Sequence, residues 1–123
     1  MLVFDAKRPI YMQLMDDMET KIASGQLKPG AKIESVRDMA VLYGVNPNTV
    51  QRALSELERS GLLNAQRTNG RFVTLDQEQI RDLREKMAAE KINNLIKHLE
   101  SLGFNHKEIL NLIEKKLKEM NES

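Results

Sequence analysis

Five side chains within one short stretch could do chemistry together: Asn48, Thr49, Gln51, Arg52 and Ser55. All five can donate hydrogen bonds. Arg can bridge guanine O6 and N7, and Asn or Gln can pair with adenine N6 and N7. The residues between them, Val50, Ala53, Leu54 and Leu57, recur at three- and four-residue steps, so a helix buries these four and leaves the polar five outside. A helix of that composition suits the major groove of duplex DNA. Catalysis lacks its parts. The chain has no cysteine and no phosphate-binding glycine loop. Its two histidines, His98 and His106, have neither metal-ligand spacing nor a serine partner. We expect no catalytic residue, no metal site and no cofactor, hence not an enzyme.

Elements on both sides must hold that helix. Ser35 followed by Asp38 is a capping-box-like start, with Asp in place of the usual Glu. Val36, Met39, Ala40 and Tyr43 then form one apolar stripe, and Gly44 ends the helix in the left-handed conformation. Asn46 can cap the next helix, with Pro47 in its first turn. The pair predicts a helix-turn-helix. Upstream, Pro9 opens a helix striped by Tyr11, Leu14, Met15, Met18 and Ile22 and stopped at Ser24-Gly25. Its wet side is Asp16, Asp17, Glu19 and Lys21, and residues 1–8 read as an irregular lead-in. The turn over residues 26–30 is expected to plug Leu27 into the core.

Downstream, residues 62–66 and 71–75 read as two strands around Thr68-Asn69-Gly70, because Asn-Gly tolerates the positive φ of a tight hairpin turn. Arg67 and Arg71 flank the tip, and no acid occurs from residue 64 to residue 75. A hairpin so charged, directly after a three-helix unit, predicts a wing that touches DNA.

Beyond residue 76 the pattern changes to a long amphipathic helix carrying Ile80, Leu83, Met87, Ala88, Ile92, Leu95, Ile96, Leu99 and Leu102. Gly103-Phe104 predicts a Schellman end with Phe104 folded back. Asn105 and Glu108 form a second capping box, opening a helix striped by Ile109, Leu112, Ile113, Leu117 and Met120. So short a turn predicts an antiparallel hairpin. Its apolar stripes exceed what one hairpin can cover, which predicts self-association with a second copy. The expected organisation is a winged helix-turn-helix DNA-binding domain over residues 1–75 and a two-helix dimerisation tail over 76–123. The fold class is mainly α with a small β-hairpin wing.

Composition fits this reading. Hydrophobic residues make up 41% of the 123 residues, aromatics only 4%, and tryptophan is absent, as in a helical protein packed with Leu, Ile and Met. The net charge is +1 overall, +2 over residues 1–75 and −1 over 76–123. So small an excess makes placement, not total charge, the basis of nucleic-acid affinity. There is no long apolar run and no signal or lipidation motif, so we expect a cytoplasmic protein without membrane contact.

The order LKPG, ESVRDMA, GVNPNTVQRALSELERSGLL and NGRFV resembles the GntR family of bacterial transcription factors over about residues 9–74. The short two-helix tail is similar to that of the YtrA subfamily. The resemblance implies a repressor that binds a palindromic operator as a homodimer. It implies operator contacts at Arg37, along the start of the recognition helix (residues 46–52), and at the wing (residues 67–71). Arg37 and Arg52 would then bridge guanine or clamp a phosphate, Gln51 would pair with adenine, and Ser35 and Thr49 would hold phosphates. Arg67, Asn69 and Arg71 would reach the minor groove, with Thr68 and Gly70 shaping the tip. Two departures stand out. Ile33-Glu34-Ser35 replaces the usual Leu-Pro-Ser, and Thr68 and Arg71 replace a Gly and a Thr of the wing. A winged-helix module that binds protein instead of an operator is the alternative. Neither an effector nor the operator sequence is legible in these residues.

Overall fold

The computed structural model describes residues 2–67 and 69–122. Local chemistry sets the element ends. Helix α1 (Ile10–Ser24) begins after Pro9 and ends at Gly25. Helix α2 (Val36–Tyr43) is capped by Ser35, whose Oγ accepts from the Asp38 amide at 3.1 Å. At its end Gly44 sits at φ 67, which lets the Val45 amide reach back to the Ala40 carbonyl at 3.0 Å. Helix α3 (Pro47–Arg59) starts with Asn46 Oδ1 accepting from the Asn48 amide at 2.8 Å. Strands β1 (Leu63–Gln66) and β2 (Gly70–Val73) precede helices α4 (Gln77–Ser101) and α5 (His106–Glu122).

The chain divides into two compact units, Met1–Arg84 and Glu85–Ser123. In the first, α3 packs on both α1 and α2. Its Val50, Ala53, Leu54 and Leu57 are fully buried against Leu14, Met18 and Ile22 of α1, Met39 and Ala40 of α2, and Leu62, Leu63 and Val73 of the hairpin region. Burying each large side chain contributes about 1.5–3 kcal/mol before entropy is counted, so α3 is held from its back. Leu27 is half-buried against this core, as expected of the turn.

Two polar side chains tie down what periodicity left loose. Gln13 is buried, yet its amide is satisfied. It accepts from the Asp5 amide at 2.7 Å and donates to the Asp5 and Arg8 carbonyls at 2.6 and 2.9 Å. The lead-in is thereby anchored to α1. Tyr43 of α2 donates to Asp17 Oδ2 at 3.0 Å and accepts from Lys21 Nζ at 2.9 Å, joining α2 to the supposedly wet side of α1. Burial is the main cause that raises the Tyr43 phenol, and the hydrogen bond to Tyr43 raises the Lys21 ammonium. Both groups bind their proton more tightly when folded. Their contribution to stability is present below the ordinary range of about 10 and is lost as pH rises through the raised values. Thermal unfolding should thus shift down above about pH 10 in the wild type, and by less in Tyr43→Phe, which cannot ionise there.

The hairpin is antiparallel, with Leu63 opposite Val73 and Gln66 opposite Gly70. Residues 30–33 run along the other side of β2. The Gly30 amide donates to the Val73 carbonyl at 2.9 Å, Val73 to Ala31 at 2.8 Å, and Ile33 to Arg71 at 3.0 Å, and Lys32 bridges to Phe72. Strand β2 is therefore paired on both edges, whereas β1 has one open edge. Strand β2 starts at Gly70, one residue earlier than expected, and ends at Val73 because the chain then turns at once into α4, and β1 starts at Leu63 instead of residue 62. Thr74 Oγ1 accepts from the Asp76 amide at 3.1 Å, and Asp76 Oδ1 accepts from the Glu78 and Gln79 amides at 3.1 and 3.2 Å.

One assignment in the tail needs correction. Ile80 and Leu83 pack against the core of the first unit, so the opening turns of α4 belong to that unit. They lie three residues apart on the one face that α4 turns toward that core.

The second unit is built as the caps foretold. The Phe104 amide donates to the Leu99 carbonyl at 3.2 Å and the Gly103 amide to Glu100 at 2.9 Å, a Schellman end. Glu108 Oε1 accepts from the Asn105 amide at 3.0 Å while Asn105 Oδ1 accepts from the Glu108 amide at 2.9 Å. No side chain of α4 is buried, and in α5 only Ile109 is. Met87, Ile96, Leu99, Phe104 and Ile113 are half-buried. Ile92, Leu95, Leu102, Leu112, Leu117 and Met120 are exposed, Leu102 at 73% and Met120 at 61%. Among the described residues no helix is long and apolar enough to cross a membrane, and no group of side chains could hold a metal ion.

Candidate nucleic-acid interface

With its four apolar residues turned inward, α3 exposes Asn48, Gln51 and Arg52 and leaves Thr49 and Ser55 half-exposed. Gln51 Nε2 donates to Ser55 Oγ at 3.1 Å, one turn along the same face. The Gln51 Oε1 and a second amide hydrogen remain for a base edge. Ser35 and Asn46 spend an oxygen each on their helix caps, yet the Ser35 hydroxyl hydrogen and the Asn46 Nδ2 are still donors. Both stand at helix starts, where amide groups favour an anion. Arg37, in the first turn of α2, is exposed and pairs with no acid among the described residues.

Arg52 is held in a way its position in the sequence does not announce. Its guanidinium carbon lies 3.8 Å from the centroid of the Tyr11 ring, and its Nη2 donates to the Tyr11 hydroxyl at 3.2 Å. Tyr11 belongs to α1 and is itself half-buried against the core. The guanidinium has five N–H donors, and this contact occupies one.

At the wing, Arg67 and Asn69 are exposed, and the Asn69 amide closes the turn on the Gln66 carbonyl at 3.1 Å. Thr68 lies outside the described residues. Arg71, expected at the tip as a groove contact, is turned the other way. Its Nε pairs with Glu58 Oε1 of α3 in a partly buried ion pair, which pins the wing to the recognition helix. A strand alternates its side chains between two faces, and Arg71, directly after the turn, falls on the face toward α3. The second wing cation is instead Lys32, which is exposed. A Cβ at Gly70 would stand 3.2 Å from Lys32 Cε, and Gly70 itself has φ 97. Glycine suits that backbone conformation, and a Cβ there would have to push the Lys32 stem slightly aside. Nothing local marks Lys32, since its pairing with Phe72 spans some forty residues of sequence.

Comparisons with known proteins agree with this geometry. Residues 10–73 match the family described as bacterial regulatory proteins, gntR family. The helix-turn-helix-type transcriptional regulator YhcF of Bacillus subtilis is 36% identical over 107 residues, which cover 87% of this chain and 88% of the relative. The repressor YtrA of the same organism is 41% identical over 66 residues, 54% of this chain and 51% of that protein. The chain is thus matched to about half the length of YtrA. Among solved structures, a GntR family transcriptional regulator from Listeria monocytogenes superposes with a TM-score of 0.85 at 35% identity, covering 91% of this chain and 98% of that one. The DNA-binding domain of AraR in complex with operator ORR3 superposes with a TM-score of 0.53 at 27% identity, over 60% of this chain and 89% of the domain.

Proposed function

Because the chain belongs to the GntR family of bacterial regulatory proteins, we propose that it is a sequence-specific transcriptional regulator, a repressor that binds a palindromic operator as a homodimer in the cytoplasm. The observation that carries this reading is the outer face of α3. Asn48, Gln51 and Arg52 stand exposed on a helix whose back is wholly buried. The likeness to an operator-bound AraR domain supports it. In this reading Gln51 and Arg52 address base edges. Ser35, Arg37, Asn46 and Thr49 hold the phosphate backbone, and Arg67, Asn69 and Lys32 meet the rim of the adjoining minor groove.

The homodimer is supported by the second unit. Its exposed apolar residues (Ile92, Leu95, Leu102, Leu112 and Leu117) form too large a set for a monomer to leave in water. A second copy of the same helices is the partner that symmetry makes simplest. Residues 1–75 together with the opening turns of α4 act as the DNA-binding part, and the rest of 76–123 as the dimerising tail.

Selection of bound duplexes from a random pool tests the proposal. The expected product is an inverted repeat whose half-sites lie about one helical turn apart. Enrichment of no sequence above the starting pool would refute it. Roles at the wing separate in the same assay. Lys32→Ala should weaken all duplexes alike and lower the salt dependence by about one phosphate contact. Arg71→Ala should leave the salt slope unchanged and lower the melting temperature instead, since its partner is Glu58.

A further inference from the structure

The contact between Arg52 and Tyr11 joins the recognition helix to a residue outside the helix-turn-helix. We propose that Tyr11 is a positioning residue that sets the plane of the Arg52 guanidinium, and through it the base preference at the position Arg52 reads. This rests on the operator-binding reading given above.

An exposed arginine samples many rotamers, and a guanidinium bridging guanine O6 and N7 must arrive in the plane of the base. The ring of Tyr11, 3.8 Å beneath the guanidinium carbon, restricts one tilt, and the 3.2 Å hydrogen bond from Nη2 to the phenol restricts the rotation about it. Tyr11 can impose such a geometry because it is not free itself. Its ring is half-buried against the core that α1 shares with α3. No acid competes for Arg52 among the described residues, so the only groups that orient it are those of Tyr11. Four of its five N–H donors remain for DNA.

The consequence is that a residue of α1 determines specificity without needing to touch a base. A purely structural tyrosine would lower the affinity for every duplex equally. A positioning tyrosine alters the ranking of duplexes, and only at the base pair that Arg52 contacts.

The test is a double-mutant cycle read on the duplex selected from the random pool and on single-base-pair variants of it. The full-length proteins are wild type, Tyr11→Leu, Tyr11→Met, Tyr11→Phe, Arg52→Ala and the Tyr11→Leu/Arg52→Ala double variant, with circular dichroism confirming that each is folded. Tyr11→Leu should lower affinity for the selected duplex roughly two- to fivefold, the range of an exposed cation–π contact. It should relax preference at the same base pair as Arg52→Ala and add nothing further in the Arg52→Ala background. Tyr11→Met fills a similar volume without a ring and should behave alike, which keeps the test open if Leu unfolds the unit. Tyr11→Phe keeps the ring but loses the hydroxyl that accepts from Nη2, and should relax the preference at that base pair less than Tyr11→Leu does. Equal losses from Tyr11→Leu with and without Arg52 would overturn the proposal, as would relaxed preference at base pairs that Arg52→Ala leaves alone. If the wild type enriches no duplex, the operator-binding reading falls and this inference with it. If the wild type enriches one and the cycle is additive, only the positioning role falls.

Discussion

A chain ending at Arg84 will be a folded monomer that has lost roughly 10²–10⁴-fold in operator affinity, the range in which joining two sites into one ligand strengthens binding. Removal of residues 85–123 takes away the helices whose exposed leucines and isoleucines we assign to the dimer. The point of truncation matters. Ending at Leu75 would also strip Ile80 and Leu83 from the core of the first unit, and the lost affinity would then report unfolding as well as lost dimerisation. Sedimentation gives the oligomeric state, and titration of a full inverted repeat against a single half-site gives the affinity. The shortened chain should bind both duplexes about equally. A truncated protein that still sediments as a dimer, or that keeps full preference for the repeat, would assign dimerisation elsewhere.

Leu54→Ala is expected to cost about 2–5 kcal/mol of unfolding free energy, from lost transfer energy plus the cavity left behind. Leu54 has no exposed surface and lies in the middle of α3's inward face, where α1 and α2 both approach. Domains of this kind have only about 5–15 kcal/mol to lose, so the first unit should melt at a clearly lower temperature than the wild type. Operator binding should fail with temperature in step with circular dichroism, while binding well below the melting point stays near wild type. Urea titration gives the free energy directly. A cost under about 1 kcal/mol would mean that α3 is held by something other than its buried back.

What could be read in advance was local. Ser35 with the Asp38 amide, Asn46 with Pro47, and Asn105 with Glu108 all act within three residues, and the structure has each cap where the residue types put it. The inward set of α3 was fixed by spacing alone, and all four of its members are fully buried. The hairpin was expected from Asn69-Gly70, but Gly70 proved to be the first residue of β2, opposite Gln66, and the turn lies before it. What escaped was every pairing between residues far apart in sequence. Arg71 looked like a groove contact because its charge was visible and Glu58, on another element, was not its evident partner. Lys32 belonged to no pattern read from the sequence, and its place comes only from β2 lying beside it. Tyr11 counted as core because its place in the stripe says where the ring is anchored, not what lies above it. Ile80 and Leu83 continue the periodicity of α4 without a break, and periodicity cannot say which of two surfaces a stripe meets.

The open edge of β1 bears on solubility. An unpaired strand edge is a template on which another copy's strand can add, and this one belongs to the hairpin proposed above to meet the minor-groove rim. Its exposed residues, Asn64, Ala65 and Gln66, are polar or small, and the strand is only four residues long. The opposite edge of the sheet is closed by residues 30–33. A hairpin of this kind can lie along a phosphate backbone and still gain little by docking on another hairpin. Positions 64 and 66 are therefore constrained in what they must not become. Valine or isoleucine there would fit the fold and strengthen the strand, at the cost of a surface on which molecules at high concentration could assemble edge to edge.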